Sequence, residues 1–150
     1  MVVAVTYDPN RDELFHSVRN GGAFLNGTKI SVSNRTELKS SIIGIDMGYD
    51  AGRGKSLLGI MYDMWPDIHC IRLMGSAALG LAYVASGRLD LYLHKLLYPW
   101  DIASGLLMIH EAGGLVTDWQ SKLATINSDM IVAGNKALCC DFLALNKGLT

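Results

Sequence analysis

Apolar positions change their spacing along this chain near residue 40. Upstream, short apolar or alternating runs are separated by turn residues, the mark of antiparallel strands. Residues 2–7 (VVAVTY) and 14–18 (LFHSV) read as strands, joined by the Pro- and Asn-containing turn DPNRDE. After the turn RNGG, residues 23–33 (AFLNGTKISVS) contain Asn26-Gly27, the dipeptide that most strongly predicts a two-residue hairpin. The first third is therefore expected to be an antiparallel meander. The polar stretch 34–40 (NRTELKS) is the one plausible internal boundary.

Beyond it, strand and helix patterns alternate. Residues 41–47 (SIIGIDM) form a continuous apolar run typical of a buried strand, and 52–65 predict a helix stopped by Pro66. A strand over 68–74 leads to a small-residue helix over 75–87, opened by Ser76 as cap and closed by Gly87. Residues 89–94 (LDLYLH) alternate as a strand does. Residues 99–112 place Ile102, Leu106 and Ile109 on one helical face, and Gly113-Gly114 end the run. Short strands over 115–119 and 129–134 and a helix over 135–148 complete the pattern. Such alternation predicts a mixed sheet covered by helices on both faces, an α/β (α+β) fold.

Composition narrows the function classes. The chain has 150 residues, half of them hydrophobic, and a net charge of −1, which gives no support for binding nucleic acid or an anionic membrane. No apolar run approaches the roughly 18 residues of a spanning helix. Three cysteines, two of them adjacent, fit a reducing cytoplasm better than a disulfide framework. Neither CxxC nor HExxH occurs, which argues against zinc.

Two segments suggest chemistry. In GYDAGRGKS (48–56) a phosphate-binding P-loop would need its first glycine at Tyr49, and Gly48 stands one residue too early. The stretch reads instead as a solvated loop before a helix, where Arg53 or Lys55 has access to an anion. In YPWDIASGLLMIHEAGG (98–114), Asp101 lies in the first turn of a helix, where free amides stabilise a carboxylate, and Pro99 pre-sets the entry geometry. Taken alone, Asp101 reads as an acid stabilising a helix start and Trp100 as a core aromatic. Gly75, Ser76 and Ala77 open a helix whose amides suit an oxygen-rich ligand, or whose small side chains simply pack closely on the sheet.

Together these segments resemble the inositol monophosphatase family. PWDIASGLLMIHEAGGLVTD is similar to its C-terminal signature, GGAFLNGTKISVS to its Gly-Ala-Phe-x-Asn-Gly hairpin, GSAALGLAYVASGRLDLY to its Gly-Ser/Thr-Ala-Ala helix, and VAGN to its late strand. The order and approximate spacing agree from residue 2 to about residue 146. The resemblance implies a magnesium-dependent, lithium-sensitive phosphatase of sugar- and nucleotide-like phosphate monoesters. It implies the C-terminal half of a layered α-β-α-β-α fold, with residues 1–37 as a remnant of the antiparallel sheet and 38–150 as the substrate-side domain. Asp101 would be the catalytic residue of this half and a Mg²⁺ ligand. Gly75, Ser76, Ala77 and His94 would bind the substrate.

Two departures qualify that expectation. The family's Asp-Pro-x-Asp-Gly-Thr segment, source of two further metal-binding aspartates, is not in this sequence; Asp8-Pro9 continues as Asn10-Arg11. The chain thus reads as part of a longer protein and is expected to be inactive by itself. A meander lacking its covering layer is also expected to pair with another copy, giving a homo-oligomer. The second departure is His94, which takes the position of a glutamate found seven residues before the Trp-Asp aspartate in many inositol-hydrolysing members. Inositol becomes a less natural substrate, and a sugar bisphosphate, a nucleotide 3′-phosphate and histidinol phosphate stay open. Among other polar residues, Asp46 and Asp50 flank the loop after the first buried strand and are candidates to face a ligand. Glu111 and Asp90 are expected to be structural, and Cys139 and Cys140 to pack. The competing reading is a non-catalytic α/β binding or assembly module.

Overall fold

The computed structural model describes residues 1–146. Four strands, β1 (Val3–Asp8), β2 (Glu13–Val18), β3 (Gly22–Leu25) and β4 (Thr28–Ile30), form an antiparallel sheet in sequence order. The β3–β4 turn is made by Asn26 and Gly27, both at positive φ (47° and 79°), which matches the twist of the flanking strands.

The second sheet has five strands in the order β6-β5-β7-β9-β8: β5 (Ile42–Asp46), β6 (Cys70–Leu73), β7 (Leu91–His94), β8 (Leu115–Thr117) and β9 (Ile131–Gly134). β5 pairs in parallel with both β6 and β7, whereas β9 runs antiparallel to β7 and β8. Helices α1 (Ala51–Met64), α2 (Ala77–Ala85), α3 (Pro99–Glu111) and α4 (Lys136–Leu145) connect or follow these strands. The chain steps from β5 to β6 through α1, then back across β5 to β7 through α2. Right-handed crossovers in opposite directions put those two helices on opposite faces of the sheet.

Alternate residues of the central strands accordingly feed two cores. Tyr92, Ile131 and Ala133 pack with α2, α3 and the inner face of the antiparallel sheet, through Phe15 and Ala23. Leu91, Leu93 and Val132 pack with α1 and α4, through Leu57, Ile60, Leu138 and Phe142. The layers therefore run antiparallel sheet, α2 with α3, mixed sheet, α1 with α4, in agreement with the expected α+β architecture and with helices on both faces of the mixed sheet. Small residues set the spacing: a Cβ on Gly80 of α2 would come within 2.4 Å of the Tyr92 ring, and one on Gly105 of α3 within 2.5 Å of Leu81.

Most observed elements are shorter than or shifted from their predicted spans by one to a few residues, and β2 begins one residue earlier; residues 147–148 of the predicted last helix lie outside the described residues. Three readings are corrected. Of the stretch 48–56 read as a solvated loop, residues 51–56 already belong to the helix that the 52–65 pattern predicts, because Asp50 caps α1 by accepting the Arg53 amide at 2.7 Å. Trp100 is no core aromatic: it is 75% exposed and stacks on Tyr98. Cys139 is buried as packing requires, with its thiol pKa pushed up to about 12 by burial, but Cys140 is exposed. Among the described residues, no helix is long and apolar enough to cross a membrane.

Candidate functional site

The carboxyl ends of β5, β6 and β7 and the N-termini of α2 and α3 meet around one open cavity of about 430 Å³. In an open α/β sheet this is where ligands bind, because the strand order reverses there and helix amides point inward. All five residues singled out from the sequence, Gly75, Ser76, Ala77, His94 and Asp101, line it. So do Asp46, Gly48, Tyr49 and Tyr98.

The α2 side is built by Asp46. Its Oδ1 accepts the amides of Gly75 at 2.6 Å and Met74 at 3.1 Å, and its Oδ2 accepts the Tyr92 hydroxyl at 2.7 Å. Burial, then the neighbouring Asp46 carboxylate, raises the Tyr92 pKa well above that of a free phenol, so Tyr92 stays a donor. Gly75 has φ +73°, which a side chain would disfavour, and this turn swings the chain into α2. Ser76 caps that helix, its Oγ accepting the Leu79 amide at 3.4 Å. With both its oxygens engaged, Asp46 holds the wall in place rather than offering a free carboxylate. Asp50 is occupied as the α1 cap and is not among the residues that line the cavity.

The opposite side is the linker from β7 to α3. His94 is only 5% exposed, and its Nδ1 accepts the Leu96 amide at 3.0 Å. A neutral ring so engaged carries its proton on Nε2. Burial lowers the His94 pKa, and the carboxylates of Asp46 and Asp101 only partly oppose that shift. Gly48 must lack a side chain here, since its Cβ would stand 3.2 Å from His94 Cε1 at a backbone φ of +64°.

Asp101 is half-buried at the start of α3, and its Oδ2 accepts the Tyr98 amide at 3.0 Å. The helix-start reading and the ligand reading are therefore compatible: one oxygen closes the first turn, and the carboxylate still faces the cavity. The donor chemistry suits a magnesium ion held by a single carboxylate, its own waters and a substrate phosphate. A cage is not formed, as no group of three or more His, Cys, Asp or Glu residues capable of holding a metal occurs among the described residues.

Other acids fall where structural roles were expected. Glu111 accepts the amides of Asn20 at 2.8 Å and Gly22 at 2.9 Å, fastening the β2–β3 turn to the end of α3. Asp90 is buried, accepts the Ile42 amide at 2.7 Å and pairs with Arg35 at 3.2 Å. Asp46, only a candidate to face a ligand from the sequence, proves to organise the α2 side of the cavity. Its signal was its place at the carboxyl end of an apolar parallel strand, the position from which such sheets build sites.

The model of the inositol monophosphatase family matches residues 1–145. An inositol-1-monophosphatase of Mesorhizobium japonicum is 40% identical over 140 residues, which cover 92% of this chain and 52% of that protein. The Nus factor SuhB of Escherichia coli K12 is 38% identical over 143 residues, 95% of this chain and 54% of the relative. The crystal structure of extragenic suppressor protein suhB from Bartonella henselae superposes with a TM-score of 0.90 at 39% identity, covering 98% of this chain and 57% of that one. The chain thus spans about half the length of the curated relatives it matches.

Proposed function

The chain belongs to the inositol monophosphatase family, and from that premise we propose that it forms the substrate-side half of a Mg²⁺-dependent phosphatase of a small phosphate monoester. The observation that carries this reading is the convergence of Asp101, Gly75, Ser76, Ala77 and His94 on one cavity at the ends of three parallel strands. Asp101 is the metal ligand and catalytic carboxylate of this half. A magnesium ion bound there would polarise the phosphoryl group and lower the pKa of a bound water.

The chain's own residues orient the ester. The N-terminus of α2, with Gly75 and Ala77 offering no bulk, receives the hydroxylated part of the substrate, and the Ser76 hydroxyl, whose oxygen accepts from the helix, keeps its proton to donate. His94 donates from Nε2 to a substrate oxygen. A neutral donor at this point suits an acceptor-rich ligand, such as a sugar bisphosphate or nucleotide phosphate, better than the bare ring hydroxyls of inositol. With Asp101, one oxygen of which already accepts the Tyr98 amide, as the proposed metal ligand of this half, the 150-residue chain alone binds the ester but turns it over poorly. The setting we propose is reducing and cytoplasmic, which the odd cysteine count and the adjacent Cys139 and Cys140 support.

The test is phosphate release from a panel of monoesters with Mg²⁺, run beside NMR of the same samples. Expected are saturable shifts at Gly75, Ser76 and His94 with little turnover. Binding that persists in Asp101→Asn, or brisk turnover independent of Asp101, contradicts the reading.

A second reading, a non-catalytic assembly module, is favoured by one observation. Val3, Val5, Tyr7, Leu14 and Val18 form an exposed apolar outer face on the antiparallel sheet. Such a face favours self-association, so a homo-oligomer is part of the proposal whichever reading holds. Light scattering at micromolar concentration tests it, and a clean monomer counts against it.

A further inference from the structure

The GRGKS stretch, set aside as a P-loop, lies behind the cavity and touches its walls at three points. Gly54 packs against the loop after β5: a Cβ there would meet the Met47 carbonyl oxygen at 2.8 Å, so only glycine lets α1 approach that closely. Arg53 Nη1 donates to the Lys95 carbonyl at 2.9 Å and to Asp129 Oδ2 at 2.7 Å. Ser56 Oγ accepts from Lys95 Nζ at 3.0 Å.

Lys95 begins the linker of residues 95–98 that separates His94 from α3. Its side chain is only 6% exposed and its ammonium lies 4.6 Å from the centre of the Trp119 ring. The same linker is held from a third direction, since the Leu97 amide donates to the Asp129 carbonyl at 2.8 Å. Arg53 thereby ties together α1, the linker and the loop before β9. The ion pair alone is solvent-exposed on both sides, at 41% and 51% for the two side chains, and such pairs contribute little to stability. The contact to the Lys95 carbonyl has a different consequence. It fixes the path of the backbone that carries His94 at one end and Asp101 at the other.

We propose that Gly52–Ser56 is a buttress for the cavity, with Arg53 and Ser56 as positioning residues that set the linker's path and through it the placement of Asp101 and His94. This rests on the phosphatase reading only in that Asp101 is taken as the metal ligand. Neither residue lines the cavity, and Arg53 Nη1 is engaged by the Lys95 carbonyl and Asp129.

Amide hydrogen exchange and Mn²⁺ line broadening on the 150-residue chain test the buttress. In Arg53→Ala the amides of Leu96, Leu97 and Tyr98 should exchange roughly tenfold faster, while those of Leu91–Leu93 keep their wild-type rates. Mn²⁺, used alone as the probe, should broaden resonances around Asp101 in the wild type, with about tenfold weaker apparent affinity in Arg53→Ala. Arg53→Lys, which keeps a cation with donors for both oxygens, should recover part of each effect. Ser56→Ala should move both in the same direction by less. Unchanged exchange at 96–98, or faster exchange there with unchanged Mn²⁺ affinity, overturns the proposal. So does a rise in exchange spread evenly over α1 and the mixed sheet, the mark of a merely structural role. No broadening near Asp101 in the wild type would instead count against the phosphatase reading, and the exchange rates would still decide the buttress.

Discussion

The two sheets of this protein are made of similar residues and treated very differently. The five-stranded sheet is covered on both faces, so every residue of β7 and β9 is buried. The four-stranded sheet is covered on one face only, and β1 alternates between buried Ala4 and Asp8 and exposed Val3, Val5 and Tyr7. On β1 the apolar Val3, Val5 and Tyr7 face outward while Ala4, Thr6 and Asp8 face inward, so burial there runs against the polarity of the sequence. The difference teaches that the mixed sheet is self-sufficient within this chain, whereas the antiparallel sheet has a face suited to something else. The candidate site grows only on the self-sufficient sheet, where parallel strand ends and helix N-termini coincide.

Substitutions should widen or erase that contrast in a definite order. The largest effect is expected inside the core the two sheets share. Phe15→Ala removes a fully buried ring from the covered face of β2 and should cost about 3–5 kcal/mol by chemical denaturation. Gly80→Val, whose added atoms meet Tyr92, should cost about 3 kcal/mol through overpacking. Tyr92→Phe keeps the shape but leaves Asp46 Oδ2 without its donor, and should cost about 1–2 kcal/mol.

The pH response follows from His94. Its folded pKa lies below the free value of about 6.5, so the unfolded chain binds the proton first as pH falls. The stability it contributes is complete above that value and is lost on acidification toward the folded pKa. His94→Gln should flatten this limb of the stability–pH curve. Smallest is the outer face: Val5→Lys should leave stability within about 0.5 kcal/mol of wild type while reducing self-association in light scattering. Were Val5→Lys as costly as Phe15→Ala, the outer face would not be the exposed surface described here.

Much of this architecture was legible before any coordinates. The Asn26-Gly27 hairpin, the strand–helix alternation after residue 40 and the Ser76 cap all follow from local rules that the tertiary structure did not override. The motifs single out five residues, and all five line one cavity. What escaped was relational. GRGKS carries no sign that Arg53 meets a carbonyl 42 positions away, and Asp46 shows its role only once Tyr92 and Gly75 are seen beside it. Trp100 misled because an aromatic beside an apolar helix face usually packs inward, whereas here it stands exposed on the first turn of α3, stacked on Tyr98.

The most direct test is a titration of the 150-residue chain with Mg²⁺ and inorganic phosphate, followed by amide shifts in the wild type and in Asp101→Asn. The account predicts saturable shifts clustered at Gly75, Ser76, Tyr98 and Asp101 that vanish in the variant while its fold is retained. Shifts of equal size in the variant, or shifts centred elsewhere on the molecule, would contradict it.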